Sequence, residues 1–429
     1  MGENKRVPSI RFAGFEQEWD EKQFDTVFDM ISNNTLSRDN FNYVGGSTQN
    51  VHYGDVLTVF GEYLDANEEK LPFLNDEEVA LKFQNARLKD GDIIFADTAE
   101  DETVGKCTEI GNIDSKKILS GLHTIPCRPK EKYAPKFMGY YLNSDAYHHK
   151  LLPLMQGVKV IAVSKTGIRG TELVLPKEYD EQQYIGDFLQ HLDEIIKQTE
   201  QKIEKLKLLK QSMLVKMFPR DERKIPEIRF KEFVEEWIPV KLEEFGKATS
   251  GTSIESEFAE EGKYKVISIG SYSEASTYND QGIRAIESEK TDKRVLNKGD
   301  LTMILNDKTA SGNIIGRVLL IEESGLYVYN QRTERIEIDH DKYDALFIYE
   351  MLNAPNIRQK IIKQAQGNTQ IYVNWPKVSL TEYLIPPKKE EQIKIGRYFD
   401  NMDKCIDWLQ QELQKLNNMK SACMKRMFV

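Results

Sequence analysis

From about Glu181 to Phe218 the apolar positions Ile185, Leu189, Leu192, Ile196, Ile203, Leu206, Met213 and Met217 recur on alternating steps of four and three, with Thr199 and Lys210 in the remaining seam positions. A second run repeats the pattern with Ile395, Phe399, Met402, Ile406, Leu409, Leu413, Leu416, Cys423 and Met427, and places Lys420 where the first has Lys210. Steps of four and three are the mark of a heptad seam. Neither run contains an internal proline, so each predicts one continuous helix of roughly 57 Å at ~1.5 Å per residue. A short helix would bury its stripe in its own domain. Two long stripes that match predict helices that bury each other. The first ends at Phe218 just before a new domain begins, and the second starts as that domain ends. An antiparallel pair is therefore expected, with a domain at each end and an approximate two-fold axis.

The rest of the pattern is short. Asp92-Ile-Ile-Phe95, Val266-Ile-Ser-Ile269 and Arg317-Val-Leu-Leu-Ile321 alternate or run apolar beside Gly-Asp turns and predict strands, while Lys136 to Asn143 and Asp344 to Asn353 predict short helices. The fold class expected is α+β, two mixed domains joined by the long helices.

The chain also repeats itself. Val7-Pro-Ser-Ile-Arg-Phe12, then Phe15 and Trp19, returns as Ile225-Pro-Glu-Ile-Arg-Phe230, then Phe233 and Trp237, 218 positions on. Leu88 with Gly91-Asp92 returns as Leu296 with Gly299-Asp300, and Leu142-Asn143 and Gln156-Gly157 as Leu352-Asn353 and Gln366-Gly367. Pro176, Glu181-Gln182, Ile185-Gly186 and Met217-Phe218 return as Pro386, Glu391-Gln392, Ile395-Gly396 and Met427-Phe428, 210 positions on. The first interior is thus 218 − 210 = 8 residues longer. One repeat of this size is a domain duplication, since solenoid units repeat every ~20–50 residues. The expected division is 1–179 and 225–389 for two copies of one mixed domain, 180–224 for the first long helix with its linker, and 390–429 for the second.

Composition narrows the class. The 429 residues are 40% hydrophobic, with a mean hydropathy of −0.55 and no apolar run near the ~20 residues of a membrane helix. The N-terminal Met-Gly-Glu-Asn-Lys-Arg lacks a signal-peptide stretch, so a soluble, cytoplasmic protein is expected. Cys107, Cys127, Cys405 and Cys423 are too far apart in sequence for a zinc knuckle or redox pair and are expected to be buried thiols. Net charge is −10, which weighs against a nucleic-acid partner, although binding depends on where the cations lie. Residues 1–179 carry 21 basic and 28 acidic side chains, and residues 225–389 carry 22 and 26.

Catalytic patterns are absent. There is no G-x-x-x-x-G-K and no G-x-G-x-x-G after a strand; Gly45-Gly46 and Ser250-Gly-Thr-Ser253 are long enough only for turns. His148-His149 has no partner at ligand spacing. Ile385-Pro-Pro-Lys388 lacks the acid and the aromatic of an aminomethyltransferase element. A duplicated chain with two divergent interiors and no active site reads best as a two-site binder.

The Ile-Arg-Phe then Trp at each domain start, and the Pro-x-x-x-x-Glu-Gln then Ile-Gly before each long helix, occur twice in the same order. In this it resembles the specificity subunits of type I restriction-modification systems, over essentially the whole chain. The resemblance implies that each domain reads one half of a split double-stranded DNA target and that the helices act as a ruler, half-sites on one face of DNA lying ~34 Å or a multiple apart. It implies two methyltransferase subunits that bind S-adenosylmethionine and, in a restricting system, two nuclease subunits that use ATP and Mg²⁺. No cofactor, metal or catalysis is expected in this chain, and no membrane partner.

Base edges and phosphates call for polar, basic and aromatic side chains, and the divergent interiors offer Asn33, Thr35, Ser37, Arg38, His52, Tyr53, Lys159, Lys165 and Arg169 in the first domain. The second offers Thr249, Thr252, Ser253, Lys308, Gln366, Asn368, Thr369, Gln370, Tyr372 and Asn374. For any single one a solvated loop residue is the competing reading. Glu181, Gln182 and the faces near Gly186 and Gly396 are candidates for partner docking; the competing reading is that Glu-Gln opens the helix, where acidic residues suit the dipole, and the two roles are compatible. Two other readings compete. One is a coiled-coil interaction scaffold without DNA binding, which the acidic charge favours. The other is a nuclease built on Asp92 and Asp97, against which Asp97 has no acidic match in the second repeat.

Overall fold

The computed structural model describes residues 6–220, 223–308, 311–368 and 370–429. The chain divides into two compact units. The first joins the residues up to Glu200 with Gln411–Val429; the second is Gln201–Gln410. The long helices span Tyr179–Lys216 and Lys389–Arg426, so each contributes to both units. No helix among the described residues is long and apolar enough to cross a membrane.

Among the described residues, the first unit is built on a five-stranded sheet in the order Phe28–Met30, Thr124–Pro129, Ile93–Ala96, Cys107–Gly111 and Tyr63–Asp65, with only the last pair parallel. The second has an antiparallel four-stranded counterpart, Gly246–Ser250, Thr333–Ile338, Leu301–Ile304 and Val318–Leu320. The strands expected near 92, 266 and 317 form as Ile93–Ala96, Tyr264–Ile267 and Val318–Leu320. The helices Phe137–Asn143 and Ala345–Asn353 also form, and Asp344 caps the second by accepting the Phe347 N–H at 2.8 Å.

The paired Gly-Asp motifs have a shared role. Asp92 is 1% exposed; it accepts the Lys89 N–H at the turn and two hydrogen bonds from Arg128, at 2.7 and 2.8 Å. Asp300 likewise accepts the Asn297 N–H and pairs with Arg335 at 2.8 Å. The carboxylates close a turn at the sheet, which accounts for Asp92 without any nuclease chemistry.

Each long helix enters its unit through a buried carboxylate. Glu181, 1% exposed, takes a bidentate pair from Arg11 at 2.6 and 2.9 Å, and the Trp19 indole N–H lies 3.3 Å from the same oxygen. Glu391 does the same with Arg229, at 2.7 and 2.8 Å, and with Trp237. The adjacent glutamine bridges backbone on both sides. Gln182 accepts from Ala134 N and donates to Pro176 O; Gln392 accepts from Asp344 N and donates to Pro386 O. These contacts explain the spacing of the proline and the Glu-Gln. They also correct the docking assignment: Glu181 and Gln182 are internal, and added Cβ atoms at Gly186 and Gly396 would come 2.9 Å from Pro135 O and from Asp344 Oδ1.

Helix ends complete both cores. In the first unit Phe428 packs 6.4 Å from Trp19, 6.2 Å from Phe137 and 5.9 Å from Tyr141, between ring centroids. In the second Phe218 packs 6.3 Å from Trp237, 5.7 Å from Phe347 and 6.0 Å from Phe399. Ile185 and Leu189 share the first core with Cys423 and Met427, and Ile395, Phe399 and Met402 share the second with Met217. Leu192, Ile196 and Ile406 are buried, whereas Leu206, Leu413 and Leu416 are only half-buried. Cys405 is exposed, so the expectation of four buried thiols holds for the other three alone.

The lysines on the seam are ion-paired. Lys420 meets Asp193 at 2.7 Å and Glu62 at 3.0 Å; Lys210 meets Asp403 at 2.5 Å and Glu350 at 3.3 Å. Position 140, the match of 350, is a tyrosine whose hydroxyl donates to Asp193, so the first unit takes its second carboxylate from Glu62 instead. Asp193 titrates above the ordinary carboxylate range, burial outweighing the pull of Lys420. A carboxylate whose pKa is raised on folding contributes most stability below its unfolded pKa and loses it as pH rises through the folded one. Lys420→Met is therefore expected to cost about 3–5 kcal/mol at pH 8 and less as the pH is lowered toward 5 and the stranded Asp193 takes up a proton. Thermal unfolding across that pH range checks both the size and the trend.

Candidate nucleic-acid interface

In each unit four chain segments meet at one end of the central sheet. In the first unit the segment after Phe28–Met30 runs through Asn33 to Arg38. The Asn33 side-chain N–H donates to Gly121 O at 3.1 Å, and Asn34 N donates to Ser120 O at 2.9 Å. Ala96 pairs with Thr124, and Asp97 N donates to His123 O at 3.0 Å. The hairpin around residues 156–162 attaches beside them, through Ile161–Ala162 pairing with Thr98–Ala99 and Val163 N donating to Asp97 O.

The structure brings many of the first unit's candidates together. Lys165 donates to Asn33 Oδ1 at 3.1 Å, Lys159 stands exposed in the hairpin, and Thr35 and Ser37 are exposed on the adjoining segment. Tyr53 lies 5.2 Å from the His123 ring and 4.6 Å from that of His52. His52 is buried and caps the Tyr53–Thr58 helix by accepting the Gly54 N–H; burial, then nearby Arg38, holds its pKa below the ordinary value. Arg38 pairs with Asp55 at 2.9 Å. Arg169 is committed elsewhere, in a fork on Asp25 at 2.8 and 2.9 Å.

The second unit repeats the plan. Ser250 pairs in register with Glu334, and Gly251 N donates to Thr333 O at 2.8 Å, which carries Thr252 and Ser253 to the sheet end. Ile304 pairs with Thr333, and Leu305 N donates to Arg332 O at 2.9 Å. Asn306–Asp307 pairs with Ile371–Tyr372, so the exposed Lys308 sits beside the hairpin that carries Gln366, Asn368, Gln370 and the partly exposed Tyr372. Thr252 accepts from Arg294 at 3.0 Å, and Asn374 occupies the start of the Trp375–Val378 helix. Thr249 is half-buried within its strand, opposite Arg335, and Thr369 lies outside the described residues.

The two hairpins share a backbone. Gln156 pairs with Ala162 and Gln366 with Tyr372, and Gly157 and Gly367 take φ of 117° and 100°. A Cβ there would lie 1.9 Å from Val160 O or 2.2 Å from Gln370 O, so the repeated Gln-Gly marks a turn that only glycine fits. Acids at these ends are already engaged: Glu334 accepts from Ser250, Asp97 contacts His123 and Thr98, and Glu255 accepts from Gln331. The arrangement offers amide, hydroxyl and cationic donors suited to phosphates and base edges. Among the described residues no three His, Cys, Asp or Glu side chains group to hold a metal ion. Sequence reasoning missed the turn residues His123 and Arg332. The signal available was a histidine or arginine followed by threonine, 209 positions apart.

Large apolar side chains are also exposed on the long helices: Tyr184 and Met419 in the first unit, and Leu208 and Trp408 in the second, are each more than half exposed.

The geometry is that of a duplicated α+β fold with the same sheet end built twice. The chain belongs to the type I restriction modification DNA specificity domain family, whose profile matches residues 16–208 and 234–418. It is 26% identical over 276 residues to the MjaVIII type I restriction enzyme specificity subunit of Methanocaldococcus jannaschii, covering 63% of this chain and 64% of that one, a little under two thirds of the relative's length. It is 22% identical over 428 residues to the putative MjaX specificity subunit of the same organism, covering 95% and 92%. In fold it is similar to the S subunit of a type I restriction-modification system from M. genitalium, with a TM-score of 0.59 at 15% identity and 99% of both chains covered. A chain from a structure of type I restriction-modification complex assembly gives 0.54 at 15% identity, covering 96% and 97%.

Gly367→Ala is expected to disrupt its hairpin at a local cost of about 1–3 kcal/mol. Amide exchange at Gln366 and Tyr372, which bond each other's carbonyls at 2.9 Å, should then quicken roughly tenfold to a hundredfold, with distant amides unchanged.

Proposed function

We propose that this chain is the DNA-reading, non-catalytic subunit of a type I restriction-modification complex, each unit reading one half of a bipartite target. The observation that carries the reading is the sheet end built twice: the same four segments meet on the same backbone plan but present Asn33, Lys159, Lys165 and His123 in one unit and Thr252, Lys308, Gln370 and Arg332 in the other. One scaffold with two sets of tip residues suits two different half-sites. The long helices, shared covalently by both units, fix the separation of the half-sites.

Two methyltransferase subunits dock on the helices, and the exposed Leu208 and Trp408 favour that surface over the buried Glu181 and Gln182. Those subunits bring S-adenosylmethionine and methylate adenine; where the system also restricts, nuclease subunits bring ATP and Mg²⁺. The complex works in the cytoplasm on host DNA.

The deciding experiment co-expresses the chain with its methyltransferase and maps N6-methyladenine across the host genome. Methylation at one split motif, lost when this chain is omitted, is the expected result; methylation unchanged by the omission overturns the proposal. Binding of the isolated chain to a duplex carrying that motif should be weak and fall steeply with salt, log K changing by about −0.9 per phosphate neutralised for each unit of log salt. No binding at any salt, with tight capture of the methyltransferase, would instead favour the protein-scaffold reading to which the net charge of −10 points. Trp408→Ala should weaken co-purification with the methyltransferase without lowering Tm, since the ring is 57% exposed.

A further inference from the structure

His123 and Arg332 occupy one corner of the fold in their respective units, and both take left-handed backbone, φ 56° and 67°. Each is the last residue before a central strand, and each is followed by a buried threonine, Thr124 and Thr333. Each offers its carbonyl to the residue after the neighbouring strand, Asp97 N or Leu305 N, whose own carbonyl accepts from the foot of the hairpin, Val163 N or Val373 N. Those hydrogen bonds use backbone alone. Glycine would satisfy them without strain, because the left-handed region crowds the Cβ of other residues. Both copies nevertheless carry a long polar side chain.

What those side chains do inside the protein differs. Arg332 is exposed and, among the described residues, its guanidinium makes no hydrogen bond or ion pair, so the fold draws nothing from it in return for the strain. His123, with 46% of its side chain exposed, is oriented by Asp97 Oδ1 at 3.2 Å from Nδ1 and by the edge of Tyr53. With Nδ1 held by Asp97, Nε2 is the ring nitrogen left over for a ligand. At Arg332 the strain persists without a hydrogen bond or ion pair in return, which points to function, and His123 holds the matching corner.

We propose, resting on the DNA-reading function above, that this corner is a specificity-determining position in both units. Arg332 reads a guanine through its O6 and N7 edge, and His123 contacts a base edge through Nε2. The planar fork of arginine matches the two guanine acceptors, and each such contact discriminates against the wrong base by about 5- to 150-fold.

The test uses the full chain with its methyltransferase, comparing wild type with His123→Gly and Arg332→Gly by genome-wide mapping of N6-methyladenine and by thermal unfolding. Glycine keeps the backbone and removes the strain, so Tm should stay level or rise. Each variant should turn one position of one half-site degenerate, with methylation of the formerly excluded bases rising, by about 5- to 150-fold for Arg332→Gly, and the other half unchanged. A wild type without a split motif would sink the DNA-reading function itself. A wild type with its motif, joined to glycine variants that keep that motif and rate, would sink this inference alone. So would a fall in Tm with general loss of methylation, which marks a structural side chain. A third overturning result is a uniform loss at every site that Arg332→Lys restores, which marks a phosphate contact rather than base reading.

Discussion

A carboxylate removed from water must be met by a cation held in the right place, because leaving it unpaired in the interior costs several kcal/mol. Glu181 and Glu391 impose that demand at the first turn of each long helix. Arg11 and Arg229 meet it from the opening segment of their units, and the indoles of Trp19 and Trp237 close over the same oxygen. The next residue, Gln182 or Gln392, ties the proline turn to the start of the short helix on the sheet. Four sequence features that look independent, the Ile-Arg-Phe, the tryptophan, the proline and the Glu-Gln, are therefore one assembly. Its directionality explains why their spacing survives in both copies while the interiors differ.

That assembly also shows what the sequence conveyed and what it withheld. The duplication, the two helices and the short strands were legible because periodicity and order record burial directly. The role of Glu181 and Gln182 was not, since a Glu-Gln pair opening a helix looks the same whether it faces solvent or a buried arginine. Lys210 and Lys420 were visible as breaks in an apolar seam, yet beside the matched Asp403 and Asp193 the second acid that answers each comes from an unmatched place, Glu350 in one unit and Glu62 in the other. The hairpin candidates near Gln156 and Gln366 fell together because the repeated Gln-Gly marked them. His123 and Arg332 escaped notice because only the threonine after each is repeated, and a left-handed turn at a residue other than glycine adds no compositional mark to it.

An acidic chain can still present a donor-rich face. Asp92, Asp300, Glu334 and Asp97 lie at or near the sheet, and each has a carboxylate oxygen engaged by a neighbour within its own unit. Lys159, Lys308 and Arg332 stay exposed at the tips. Net charge is summed over the chain, whereas a ligand meets the charge at the tips.

The first core is completed by Phe428 and by Arg426 O, which accepts the Ile10 N–H at 3.0 Å. The second core takes Phe218, only a short stretch before its Trp237. During synthesis the ring that packs on Trp19 emerges some four hundred residues later, tens of seconds at about 5–20 residues per second. The domain made first is thus the last to be finished. Until then its aromatic floor lies open on the ribosome, while the second domain, contiguous in sequence, can close without waiting. Order of completion runs opposite to order of translation, and the nascent first domain is where a chaperone would be needed.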